Sequence, residues 1–188
     1  MKPIDHNKFL FLYEQQQFGT LEADQQEGLL QLLGFIEADD QMTDPRWAAY
    51  CLATAKWETG QTFHPIAEYG RGKGHKYGLP AANGQVFYGR GYVQLTWDYN
   101  YKEMSRHCGV DLYAQPDLAM KPEIAYRVMS YGMRNGSFTG VGLKRYIDGE
   151  KCDFLNARKI INGLDQAQQI ADYARKMLAC IEGATTEA

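Results

Sequence analysis

Glu58 and Glu68 lie ten residues apart in the stretch KWETGQTFHPIAEYG, residues 56–70, and carboxylates in two different settings can divide acid and base roles. At about 100° per residue, Glu58 falls on the same helical stripe as Trp47, Tyr50, Cys51, Thr54 and Trp57. A carboxyl group among apolar side chains is penalised in its charged form, so it is expected to keep its proton and donate it. Glu68 sits between Ala67 and Tyr69, ahead of Gly70, Arg71, Gly72 and Lys73. That wetter, cationic loop is expected to keep Glu68 ionised as a base. One acid that protonates a leaving oxygen and one base that activates water are the pair needed to cleave a glycosidic bond. The competing reading makes Glu58 an ordinary helix-end carboxylate paired with Arg90 or Lys56.

Further along, QVFYGRGYVQLT reads as two short strands around Gly89, Arg90 and Gly91. In such a hairpin Gln94 and Thr96 share one face, and Val93 and Leu95 the other. Asn100 follows on the first turn of the next helix, flanked by Tyr99 and Tyr101. Amides, hydroxyls and aromatic rings on one wall suit a carbohydrate with acetamido groups, hydroxyls and apolar ring faces. Tyr69 and Arg90 join Gln94, Tyr99 and Asn100 as candidate substrate contacts. The plainer alternative is that Gln94 and Thr96 are polar residues of an edge strand.

Other chemistries fit less well. His64, His75 and His107 lack the spacing of a metal site, so neither a metal nor an organic cofactor is expected. Cys51 lies mid-helix on a core face, which disfavours a thiol nucleophile partnered by His64. The four cysteines, Cys51, Cys108, Cys152 and Cys180, have no CxxC spacing and read as buried thiols of a reducing compartment. Net charge is −3, yet residues 1–48 hold nine acids against three bases, leaving the later residues net positive. No dense basic run suggests nucleic acid. The apolar run at 9–13 is far shorter than the roughly 20 residues of a membrane span, and no cleavable leader is expected before it.

The elements that must position these residues are mostly helices. With 188 residues and 45% hydrophobic content, the chain suits one domain over 1–188, with 1–44 as an N-terminal helical portion packed on the rest. Asp24 and Glu27 predict a capping box for a helix burying Leu29, Leu32, Leu33 and Ile36. Pro45 and Gly60 bracket a helix over 45–58. Residues 60–85 are glycine-rich and read as a long irregular loop, a kind that is usually functional. Asp98 is placed to cap a helix ending at Gly109, Pro122 to open one through about Met133, and Asp153 to cap a short one broken at Asn162 and Gly163. Asp165 is expected to begin the last helix, with Ile170, Tyr173, Ala174, Met177, Leu178 and Ile181 at helical spacing.

Taken together, WETG, FYGRGYVQLTWDYNY and ARKIINGLDQAQQIADYARKML resemble, in order, the acid motif, the long central motif and the late IING-type segment of family 19 glycoside hydrolases. The segments GVDLYAQPDLAMKPEIAYRVMSYGM and SFTGVGLKRY resemble its phage endolysin branch more than its plant chitinase branch. The resemblance implies a mainly α, lysozyme-like fold with a small β-hairpin and a glycine-rich loop beside the cleft. It implies Glu58 as general acid, Glu68 as second acid and Thr96 as positioner of the attacking water, with inversion at the anomeric carbon. Gln94, Tyr99, Asn100 and Asn162 match cleft residues for N-acetylated sugar. Trp57 stands where the family commonly has His, and Gln169 where many chitinases have Arg. The expected activity is cleavage of β-1,4 bonds in bacterial peptidoglycan by a monomer that accumulates in a host cytoplasm and relies on a holin-type pore. The alternatives are a chitinase and a catalytically silent glycan-binding module.

Overall fold

The computed structural model describes residues 1–186. Its central element is α3 (Pro45–Glu58), which follows α1 (His6–Gln15) and α2 (Ala23–Ala38). The Asp44 side chain accepts from the Arg46 N–H and Pro45 takes the first helical position, so the start of α3 is capped within its own turn. Every residue from Ala48 to Lys56 is buried, which makes this a core helix rather than one with a single inward stripe. It packs chiefly along α6 (Ala167–Ala184). The small side chains Ala48, Ala49, Ala53 and Ala55 on α3, with Ala171 and Ala174 on α6, are all fully buried and leave little to separate the two backbones.

The remaining helices are α4 (Asp98–Cys108) and α5 (Pro122–Asn135), each closed by a left-handed glycine, Gly109 and Gly136. The first and last segments are tied together: Ile4 bridges Thr185, and the Asp5 N–H donates to the Ala184 carbonyl at 2.9 Å. The fold is mainly α and lysozyme-like, as the motifs implied, with two small antiparallel sheets. Strand β1 (Ile66–Ala67) pairs with β2 (Arg90–Gly91), Ile66 opposite Gly91 and Ala67 opposite Arg90. Strand β3 (Ile147–Asp148) pairs with β4 (Lys151–Cys152). No helix among the described residues is long and apolar enough to cross a membrane.

Several boundaries differ from the sequence expectation, each for a local reason. The capping box of α2 is Glu22 with Gln25, one turn fragment earlier than Asp24 with Glu27. Asp98 is the first residue of α4 and pairs with Lys102 at 2.9 Å, while the preceding Trp97 has φ +75° and carries no side-chain cap. The last helix starts at Ala167 after left-handed Gln166, not at Asp165. The hairpin does not turn at Gly89 to Gly91. Arg90 bridges Leu95, and the chain reverses through Gly91 (φ +90°) and Gln94 (φ +55°). Cys51, Cys108 and Cys180 are buried as expected, but Cys152 is exposed because β4 lies at the surface.

Candidate active site

Glu58 closes α3, and its carboxylate is not alone among apolar groups. Its Oε1 accepts from Arg158 Nη1 at 2.6 Å, with the side chains 16% and 4% exposed respectively. The expectation of a dry, unpaired acid is therefore corrected: a buried guanidinium holds it. Neither Arg90 nor Lys56 takes that place. Arg158 lies in the 3-10 segment Asn156–Ile160, whose N-cap is Leu155 rather than the expected Asp153, although Asp153 accepts the Asn156 N–H at 3.0 Å; the Arg158 Nε donates to the Asp165 carbonyl at 3.0 Å. One turn on, the Asn162 N–H donates to the Arg158 carbonyl at 3.0 Å, with the Asn162 side chain exposed to solvent. Arg158 is thus joined to Glu58 by its side chain and to Asn162 through backbone alone. The role of Arg158 was missed from sequence although the ARKIING segment contains it; its signal would have been the need for a partner to a half-buried acid.

Glu68 follows β1 and is held at both oxygens. Tyr77 Oη donates to Oε1 at 3.0 Å, the Gly89 N–H donates to Oε2 at 3.1 Å, and the Glu68 N–H donates to the Gly89 carbonyl at 2.7 Å. Burial, with the neighbouring carboxylate second, pushes the Tyr77 hydroxyl above the usual phenol range, so it remains a donor. The glycine-rich loop is built rather than irregular. A Cβ on Gly78 would lie 1.8 Å from the Gly72 carbonyl oxygen, so the loop crosses itself where only glycine fits. That crossing presents Tyr77, whose ring stacks on His75 at 4.9 Å and meets Trp97 edge-on at 5.3 Å.

The link between the two acids is also fixed. Thr59 Oγ1 donates to the Ala55 carbonyl at 2.7 Å and accepts the Phe63 N–H at 3.0 Å, while the Gln61 N–H donates to the Lys56 carbonyl at 2.8 Å. The chain from Glu58 into β1 is therefore a hydrogen-bonded cap rather than a free tether. Lys56 points away from both acids. Its Nζ donates to Tyr13 Oη at 2.7 Å and Gln61 Oε1 at 3.1 Å, and burial pushes its pKa down to about 8.

Gln94, Thr96 and Asn100 form a continuous chain on the Glu68 side. Gln94 Nε2 donates to the Ile66 carbonyl at 3.0 Å, Thr96 Oγ1 to the Gln94 carbonyl at 2.8 Å, and Asn100 Nδ2 to the Thr96 carbonyl at 2.9 Å. Gln94 spends its amide nitrogen on pinning the turn to β1. Tyr99 and Tyr69 are exposed, and Tyr99 stacks on Trp97 at 6.0 Å. Two expected wall residues are core instead. Arg90 is 4% exposed and spent on Asp117 at 2.8 Å, on the Val86 carbonyl and on Tyr101 Oη, so it has no reach to a substrate. Tyr101 is fully buried, its hydroxyl donating to the Tyr88 carbonyl at 2.8 Å. Cys51 is inert for a simple reason: burial pushes its thiol up to about 12.

Two surface cavities frame this geometry. The larger, about 580 Å³, is lined by residues of α2, α4 and α5 such as Phe35, His107, Tyr126 and Arg134, with Asp39 just past the end of α2, and it includes neither acid. A second, about 310 Å³, is lined by Tyr77, Trp97, Phe87 and Pro80, with Lys76 and Asp98 at its polar edge. Because Tyr77 is both its wall and the donor to Glu68, this is the cavity adjoining the candidate base.

Comparison with known proteins bears on the family and the fold. A family model described as chitinase class I matches residues 32–133, more than half of the chain. Among curated relatives, endochitinase A2 of Pisum sativum is 47% identical over 50 residues, which are 26% of this chain and 15% of that protein. Endochitinase CH25 of Brassica napus is 47% identical over 79 residues, 42% of this chain and 21% of that protein. The match thus spans a small part of these relatives. Among solved structures, a family GH19, class IV chitinase from Zea mays superposes with TM-score 0.60 at 17% identity, covering 94% of this chain and 93% of that one. Chitinase C from Streptomyces griseus HUT6037 gives 0.55 at 22% identity, covering 98% and 78%. At such identities these superpositions speak for the fold.

Proposed function

The chain belongs to glycoside hydrolase family 19, and from that premise we propose that it hydrolyses β-1,4 bonds in a polymer of N-acetylated amino sugars. Glu58 gives its proton to the leaving oxygen, and Arg158 stabilises the carboxylate that results. Glu68, with both oxygens already oriented, takes the proton of the attacking water, which the Thr96 hydroxyl helps to place. Attack from the face opposite the leaving group inverts the anomeric centre. Asn100 and Asn162 offer amides to acetamido groups, and Tyr99 a ring face to a sugar. The observation that carries this reading is the pair of carboxylates at the two ends of one braced link, each held by its own dedicated donors.

The named relatives are endochitinases, which supports chitin as a substrate. A second reading, cleavage of peptidoglycan between N-acetylmuramic acid and N-acetylglucosamine, is supported by the positive charge of the loop after Glu68. An endolysin role, with cytoplasmic accumulation and a holin-type pore, belongs to that second reading. Both are tested by incubating the purified protein with chitin oligosaccharides and with purified sacculi and identifying the new reducing ends by mass spectrometry. Cleavage of either by wild type, lost in Glu58→Gln, supports the proposal. Unaltered glycans from both would leave only the silent binding module.

A further inference from the structure

The loop after Glu68 carries three cations, Arg71, Lys73 and Lys76, and no acid between Gly70 and Leu79. All three are exposed, and none forms an ion pair among the described residues. Elsewhere this chain does pair cations, as in Arg46 with Asp44 at 2.6 Å and Arg90 with Asp117 at 2.8 Å. The acids nearest the loop are already engaged: Glu68 by Tyr77 and Gly89, and Asp98 by Lys102. No carboxylate forms an ion pair with these three cations, although Glu68, bonded to Tyr77 of the same loop, offsets part of their charge. Nor is it carried on a loose segment. The Gly72 and Gly78 crossing and the turn bonds Lys73 N–H to Gly70 O at 2.9 Å and His75 N–H to Gly72 O at 2.9 Å fix the loop. Lys76 lines the cavity of about 310 Å³ whose aromatic wall, Tyr77, touches the proposed base.

We propose that this loop and the cavity beside it, which Lys76 lines together with the Lys102-paired Asp98, form a specificity site for the carboxylate-bearing substituent of a peptidoglycan sugar. The inference rests on the glycosidase reading and deepens it. Chitin has only neutral acetamido and hydroxyl groups, so three cations on this loop gain from it only hydrogen bonds to neutral oxygens, which are weaker than those to a carboxylate. A muramic acid unit adds a lactyl group, and through it an acidic peptide, whose aliphatic part suits the Leu79, Pro80 and Ala81 side of the cavity and whose carboxylates suit Lys76 and its neighbours.

The test uses the full chain carrying Glu58→Gln, so that binding is read without turnover, with and without Arg71→Gln, Lys73→Gln and Lys76→Gln together. Three insoluble ligands are compared: intact sacculi, sacculi stripped of stem peptides by an amidase so that the lactyl carboxylate is free, and chitin. The expected result is binding to sacculi that the triple substitution weakens by about tenfold, with a shallower dependence on salt. Tighter binding to intact than to stripped sacculi assigns the contact to the peptide carboxylates, and equal binding assigns it to the lactyl carboxylate. Equal affinity for chitin and sacculi, or a triple variant indistinguishable from its parent, overturns the inference. Cleavage of chitin or sacculi by wild type is scored separately, so the glycosidase reading stands or falls on its own result.

Discussion

Tyr77 donates its hydroxyl to Glu68 Oε1 at 3.0 Å from a loop that reaches it only because Gly72 and Gly78 cross without side chains. Two hydrogen bonds from different elements then leave the carboxylate little rotational freedom. Tyr77→Phe keeps the ring and its packing on His75 and Trp97 but removes the donor. Steady-state kinetics should show kcat reduced by about tenfold with KM little changed. Added to Glu68→Gln, the same substitution should have no further effect.

Gly78→Ala tests the crossing itself. With its Cβ placed 1.8 Å from the Gly72 carbonyl oxygen, backbone must move. The expected outcome is a stability loss of about 1–3 kcal/mol in chemical denaturation, together with a kcat at least as low as that of Tyr77→Phe.

Arg158 and Glu58 are close partners in a mostly buried site, and the two changes that break them should differ. Glu58→Gln retains an oxygen for the guanidinium, so the protein should stay folded while activity falls by roughly 10²–10⁴. Arg158→Gln takes away the cation that stabilises the carboxylate formed on proton transfer, so activity should fall, and with no charge left unpaired the cost in stability should be about 1 kcal/mol. Thermal melts beside a glycan-cleavage assay separate the two. Unchanged activity in Arg158→Gln would count against the pairing.

Lys56 gives a pH signature unrelated to catalysis. Its pKa is lowered from 10.5 to about 8 by burial, with Lys176 a smaller contributor. Below about 8 the folded protein bears the full penalty of a buried cation. Between about 8 and 10.5 the unfolded chain binds more protons, so this group's contribution to stability rises with pH. Buried thiols and tyrosines act in the opposite sense at the alkaline end, because burial raises their pKa values. The difference between wild type and Lys56→Met isolates the lysine. Denaturant titrations at pH 7.5 and 9.5, with wild type gaining on the variant at the higher value, are the expected result.

The helices that form the core were legible because their causes are local. Buried Leu29, Leu32, Leu33 and Ile36 recur at the helical period, and Pro45 and Gly109 mark a start and a stop. The exact caps were less legible, since Asp24, Asp98 and Asp165 are each as suitable as the residues actually used. Between competing caps, the fit of the incoming backbone decides, as the left-handed Gln166 shows.

Sequence by itself determined the family motifs, the mainly α class and the two glutamates whose placement invites acid and base chemistry. Tertiary structure alone decided their partners. Glu58 meets Arg158 across 100 residues, and Arg90, expected at the cleft wall, is enclosed against Asp117 and Tyr101. Spacing along a chain reports which face a residue takes on its own helix or strand. Which charge stands opposite depends on how separate elements pack, and burial makes that choice by leaving a cation or an acid stable only where a complementary group is already held.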